Sequence, residues 1–174
     1  KTDARLLDTM QRMAMPDPDL WHYIVTGHDP VKANQVEAAT WCLQQPMCDK
    51  ATVAAYFCRV VRLGLLKAAL KARDDDYINM LLDVISRWNG AWYTNSELEW
   101  DFGNAAEKLA TELSDDLAKV AEVTASPPIS DPVLMFRDYK GRKVRRRDNW
   151  SLVKGTLTSP PKIEDYVDPQ DSAA

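Results

Sequence analysis

Trp41-Cys42-Leu43-Gln44-Gln45-Pro46-Met47-Cys48-Asp49-Lys50-Ala51-Thr52-Val53-Ala54-Ala55-Tyr56-Phe57-Cys58-Arg59-Val60-Val61-Arg62-Leu63-Gly64 is the stretch on which the fold turns. It reads as the close of one helix, a corner at Pro46 and the start of a second helix with Asp49 as N-cap. A carboxylate there accepts from N–H groups that the first helical turn leaves without partners, worth about 1 kcal/mol. Beyond it Val53, Phe57, Val60 and Val61 recur at helical spacing, with Arg59 and Arg62 on the other side. Burying each apolar side chain contributes roughly 1.5–3 kcal/mol, so this is the expected core helix. The pattern specifies a fold and no reaction.

The same residues carry a resemblance. Trp41, the phrase Gln44-Gln45-Pro46-Met47-Cys48-Asp49-Lys50-Ala51-Thr52 and the aromatics Tyr56 and Phe57 resemble the bacterial family catalogued as domain of unknown function 4274. Trp92-Tyr93-Thr94-Asn95-Ser96-Glu97-Leu98 is similar to the Tyr-Thr-polar-Ser-Glu close of that family. The likeness covers residues 20 to 103 or so. The chain departs from the family at Cys58, where a second large aromatic is usual, and at the Gly-rich turn, reduced here to Gly64. The resemblance implies a small helical domain without known chemistry. It also implies an accessory or immunity module beside a bacterial toxin.

Outward from that core, further helices follow from apolar periodicity. Residues 3–15 present Leu6, Leu7, Met10 and Met13 on one face. Asp17-Pro18 sets a capping carboxylate before a proline at the first helical position, and the helix it opens turns Leu20, Trp21 and Ile24 inward before Gly27 stops it. Asp29-Pro30 reads as the same device for a third helix carrying Val36, Ala39, Trp41 and Leu43. Gly64 leaves two readings open, a continuing helix or a tight turn between two. Asp74, Asp75 and Asp76 favour the positive end of a helix dipole, and Tyr77, Leu81, Leu82, Ile85 and Trp88 give that helix its expected inner face, with Asn89-Gly90 as its stop. Asn104 with Glu107 resembles a capping box for a last helix to Val123, with Leu109, Leu113, Leu117 and Val120 in line.

The expected fold class is mainly α, a multi-helix orthogonal bundle with a small C-terminal β-hairpin extension. Its parts are a helical domain over 1–123, a Pro-rich connection over 124–132, a basic β-hairpin over 133–158 and a flexible acidic tail over 159–174. The hairpin reading rests on alternation in Val133–Tyr139 and Arg142–Arg147 around Lys140-Gly141, pinned by Leu134, Phe136 and Val144. An isolated hairpin is marginal in water, so it should dock on the helices, with Trp150, Leu152 and Val153 as docking residues.

At 45% hydrophobic and 28% charged, the 174 residues suit an ordinary globular domain with a real core. No run of some 18 apolar residues predicts a membrane span. Lys1 in place of an initiator Met leaves room for a trimmed leader. Three cysteines, an odd number inside apolar segments, predict reduced thiols and a cytoplasmic setting. The net charge of −4 conceals a division: residues 133–154 hold eight basic and two acidic side chains, so an acidic body bears a basic appendage.

The candidate chemistry is sparse. Cys48 and Cys58 with His22 and His28 lack any metal-ligand spacing, so neither metal nor cofactor is expected. Two histidines outside any catalytic phrase and six scattered glycines give no nucleophile–base pair and no phosphate loop. Glu97, Glu99 and Asp101 beside Trp92, Tyr93 and Trp100 could serve acid–base chemistry on a sugar or nucleotide, against a plain reading as a solvated loop pinned by its aromatics. The plain reading prevails, and no enzyme is expected. The expected function is a non-catalytic protein-binding module, an immunity protein that occludes a cognate toxin. Its expected surface joins Asp74, Asp75 and Asp76 to Trp92, Tyr93, Glu97, Glu99 and Asp101, where aromatics anchor and carboxylates steer encounter. The alternative is nucleic-acid binding through Arg137, Arg142, Arg145, Arg146 and Arg147, opposed by the acidic body and by alternation along a strand.

Overall fold

The structure is a computed structural model and describes residues 6–13 and 15–146. Seven α-helices are present among the described residues: α1 (Leu6–Gln11), α2 (Pro18–Gly27), α3 (Ala33–Leu43), α4 (Lys50–Arg62), α5 (Leu65–Ala72), α6 (Asp75–Asn89) and α7 (Ala106–Thr124). A 3₁₀ turn at Gly103–Ala105 precedes α7. The mainly helical class is as expected. No helix among the described residues is long and apolar enough to cross a membrane.

The middle of the molecule is α4, which touches α2, α5 and α7. Ala51 to Cys58, Val60 and Val61 are all buried, so apolar surface runs nearly round the helix. Arg59, expected on the side away from the apolar residues, is half-buried. Its guanidinium donates to the carbonyls of Thr26 (3.3 Å) and His28 (2.6 Å), so a side chain of α4 satisfies the unpaired C-terminal carbonyls of α2. Asp49 caps α4 through the Ala51 N–H at 2.9 Å, and Asp17 caps α2 through the Asp19 and Leu20 N–H groups.

Three local expectations are corrected. Asp29-Pro30 does not cap α3; Asp29 Oδ1 accepts from the Val31 N–H inside a turn, and the helix starts after Lys32 without a side-chain cap. The buried Gln35 closes that corner instead, its Oε1 accepting the Asp29 N–H at 2.8 Å. Asn104 and Glu107 form no capping box, because Gly103–Ala105 coils into the 3₁₀ turn and α7 begins with Ala105 at its N-cap and no side-chain bond. The inner face of α6 is Ile78, Leu81, Val84 and Ile85, while Tyr77, Leu82 and Trp88 are only partly buried. Gly64 resolves the open reading: at φ +61° it is a left-handed corner that separates α4 from α5.

Among the described residues, the chain after α7 forms no strand paired with another part of itself. Ala125 turns left-handed at φ 50° and the connection returns to the end of α6, where Asn89 Nδ2 donates to the Ser130 carbonyl (3.3 Å) and Trp88 Nε1 to that of Val133 (2.9 Å). Of the expected hairpin, residues 133–146 contain no strand; Tyr139 and Arg142 instead form isolated bridges to Trp100 and Leu98. Met135 and Tyr139 are its buried pins, whereas Leu134 is exposed. The remainder of that hairpin, with Arg147, Trp150, Leu152 and Val153, and the expected tail lie outside the described residues.

Candidate functional site

The site grows from the corner between α3 and α4. The segment after α6 is laced to that corner: the Thr94 N–H donates to the Pro46 carbonyl at 3.2 Å and the Lys50 N–H to that of Asn95 at 3.0 Å. The Tyr93 hydroxyl donates to the Leu43 carbonyl, which accounts for the burial of a ring expected at the surface. Asp49 completes the attachment. While Oδ1 caps α4, Oδ2 accepts from the N–H groups of Glu97 (2.6 Å) and Leu98 (3.2 Å). Burial pushes the Asp49 carboxyl up, and those three N–H donors pull against it.

Loop 97–101 then receives the chain from 139 to 142. Trp100 and Tyr139 exchange N–H···O bonds at 3.0 and 2.8 Å, the Glu99 N–H donates to the Arg142 carbonyl, and the Arg142 N–H donates to that of Glu97. Gly141 permits the approach, since a Cβ there would sit 2.2 Å from the Glu97 carbonyl oxygen. Arg142 locks the segment to α2. Its Nη1 donates to Asp19 Oδ1 at 2.8 Å, and the Arg145 N–H reaches the same oxygen at 2.8 Å. Glu97 Oε2 lies 3.7 Å from Arg142 Nη2. The bond to Asp19 raises the Arg142 pKa, keeping the guanidinium charged.

Between the two segments lies an open groove of about 560 Å³ lined by Glu99, Trp100, Asp101, Asp138, Tyr139 and Val144. Asp101 accepts from the Gly103 N–H at 2.5 Å, and that bond holds its carboxyl low; its hydrogen bond to Asp138 raises the carboxyl of Asp138. Behind Trp100 lies His22, the two rings 5.2 Å apart. The His22 Nδ1 meets Thr52 Oγ1 at 2.9 Å, and burial lowers its pKa to about 4 against the pull of Asp19. The Trp100 Nε1 and Asp17 Oδ2 are buried without a hydrogen-bond partner.

This arrangement suits recognition of cations. Asp101 and Asp138 are exposed, and with the Gly103 N–H holding Asp101 low and Asp101 raising Asp138 they form a carboxylate pair of unlike proton affinity. His22 is tied to Thr52, and burial raises the pKa of all three thiols, Cys42, Cys48 and Cys58, away from the reactive thiolate. Among the described residues no group of three or more His, Cys, Asp and Glu is placed to hold a metal ion.

The residues expected to share one surface lie in three places, and Tyr93 is buried. Asp74 caps α6 through the Tyr77 N–H at 3.1 Å, with Asp75 and Asp76 exposed in its first turn. Trp92 follows the other end of the same 15-residue helix, about 22 Å away at 1.5 Å per residue. Glu99 and Asp101 are brought instead to Asp138, which sequence reasoning had placed inside a basic hairpin, and Glu97 to Arg142. The arginines also part company. Arg137 lies over Tyr139, Arg146 over Tyr23, and Arg142 is engaged with Asp19, so no continuous basic patch forms from the described ones. Sequence reasoning missed Asp19, and no local signal could have found a partner 123 residues distant.

No protein-family model matches the chain, and neither a curated protein nor a solved structure matches it.

Proposed function

We propose that the chain is a non-catalytic protein-binding module of the bacterial cytoplasm, and in its specific form an immunity protein that occludes a cognate toxin. The observation that carries this reading is the groove itself: carboxylates of Glu99, Asp101 and Asp138 stand round the half-buried ring of Trp100, with Tyr139, itself buried, in the lining. Aromatic surface supplies anchoring area at an interface, while rim carboxylates steer a basic partner into register. Toxins that attack nucleic acids or nucleotides present basic clefts, so an acidic groove is complementary to them. The likeness of residues 41–64 and 92–98 to the bacterial family named above points the same way. Asp75 and Asp76 remain a second acidic rim that can contribute to long-range steering.

Co-purification with the product of the neighbouring gene tests the proposal. Capture and protection from toxicity are expected, and replacing Asp101 and Asp138 by Lys should slow association at least tenfold at low salt. Absence of capture and protection sinks the immunity reading; an unchanged association rate clears this groove of any part in it. A gel shift with duplex nucleic acid, its log affinity falling by about 0.9 per neutralised phosphate with log salt, would replace it with the nucleic-acid alternative.

A further inference from the structure

At the end of the molecule where α6 stops, three separate segments leave large apolar side chains in water. Trp92 is 41% exposed, Met47 46%, Val133 70% and Leu134 69%. These are not loose ends. The Val133 backbone is gripped on both sides, its carbonyl by Trp88 Nε1 and its N–H by Asn89 Oδ1 at 3.2 Å. Leu134 next to it takes a left-handed φ of 54°, as does Ala91 at 55° across the cleft. A leucine in that conformation is strained, and no burial in the free chain offsets the strain. Trp92 is steadied by the Arg87 guanidinium 5.0 Å above its ring.

The charge of this place is opposite to that of the body. A small cleft of about 170 Å³ is lined by Lys50, Trp88, Ala91, Tyr93, Val133, Leu134 and Arg137, two cations with no carboxylate among the described lining residues. Neither Lys50 nor Arg137 has an ion-pair partner among the described residues. On a chain of net charge −4, a cationic cleft beside exposed aliphatic and indole surface selects against a basic partner and for an acidic one.

We propose that this end of the molecule is a second docking surface, separate from the acidic groove, that takes an acidic segment of a partner protein. A carboxylate of that segment sits between Lys50 and Arg137, and its apolar side chain covers Val133, Leu134 and Trp92. The groove and this cleft face partners of opposite charge, so the inference stands whether or not the toxin reading holds.

A short labelled peptide of alternating leucine and glutamate, titrated against the full ¹⁵N-labelled chain, tests it. The expected result is a shift of the Trp92 indole N–H and of the Ala91 and Leu134 amides, with the lysine-for-glutamate counterpart at least tenfold weaker. Lys50→Glu with Arg137→Glu should weaken the glutamate peptide at least tenfold. Leu134→Gly separates docking from folding: it relieves the left-handed strain, so the melting temperature should hold or rise while peptide affinity falls severalfold. The proposal is overturned by an absence of shifts, by equal affinity for both peptides, or by unchanged binding in both variants. It is equally overturned if phosphatidylserine vesicles or self-association move these signals and the peptide does not, since a lipid surface or a second copy would then be the occupant.

Discussion

Asp49 shows how one side chain can join local and tertiary structure. Its two oxygens satisfy three N–H groups, one in the first turn of α4 and two in the loop that carries the acidic groove. Asp49→Ala leaves all three without a partner in a buried place, and a loss of about 3 kcal/mol is expected in denaturant unfolding. Asp49→Asn should lose less, because its amide oxygen can still cap. Equal losses would refute the double role. Arg142 is the corresponding residue on the other segment. Arg142→Ala leaves the buried Asp19 carboxylate without its cation, and a cost of about 2 kcal/mol is expected, reduced from a fully buried pair because Arg142 is a third exposed. Hydrogen exchange should then accelerate at the Trp100 and Tyr139 amides, and Asp19→Asn in the same background should recover part of the loss. Protection unchanged at both amides would show that the segment is held by other contacts.

Among the elements, the corners decide where helices lie. Gly64 takes φ +61° with nothing within 4 Å of the position a Cβ would occupy, so substitution meets backbone strain and no steric block. Gly64→Ala is expected to cost about 1 kcal/mol, and Gly64→Asn less, since Asn tolerates the left-handed region. A neutral Gly64→Ala in thermal unfolding would mean that α4 and α5 can adjust their junction freely. The two Asp-Pro starts show why corners are hard to read. Asp17 and Asp29 have the same local sequence signal, yet only Asp17 caps a helix. After Asp29 the chain needs a turn to lay α3 against α1 and α2, and the buried Gln35 holds that turn. The tertiary route overrode a local preference worth about 1 kcal/mol.

Over the whole molecule, the buried histidines make stability depend on pH. His22 has a folded pKa of about 4 against 6.5 in the open chain, and burial lowers His28 in the same sense. Above pH 6.5 both states are neutral at this residue and the full stability is present. As pH falls from 6.5 to 4 the unfolded chain takes up a proton that the folded chain resists, so stability declines across that window. For His22 the decline amounts to roughly 3 kcal/mol at 1.36 kcal/mol per pKa unit. Asp49 and Asp116, whose carboxyls burial raises, act in the opposite direction, so the comparison is between the native chain and His22→Gln. The native chain should lose more stability between pH 7 and pH 4.5 than the variant. Identical pH profiles would show that His22 does not titrate with unfolding.

The sequence by itself determined the helical class, the position of α4 at the core, the caps at Asp17 and Asp49 and the acidic start of α6. Those features depend on residues within four or five positions of one another, where periodicity and hydrogen-bond chemistry act along a single chain segment. It also made Glu97, Glu99 and Asp101 visible as an acidic loop beside aromatics. What only the tertiary structure decided is which distant groups meet. Asp101 faces Asp138, Arg142 reaches Asp19, and Tyr93 turns inward to Leu43, each across dozens of residues. The alternation in 133–146 was legible and still misleading, because the strand-like backbone groups at 139 and 142 found better-placed partners at 98 and 100 than in their own neighbour. Backbone N–H and carbonyl groups must be paired when the chain is buried, and which partner they take depends on what the helices have already brought alongside.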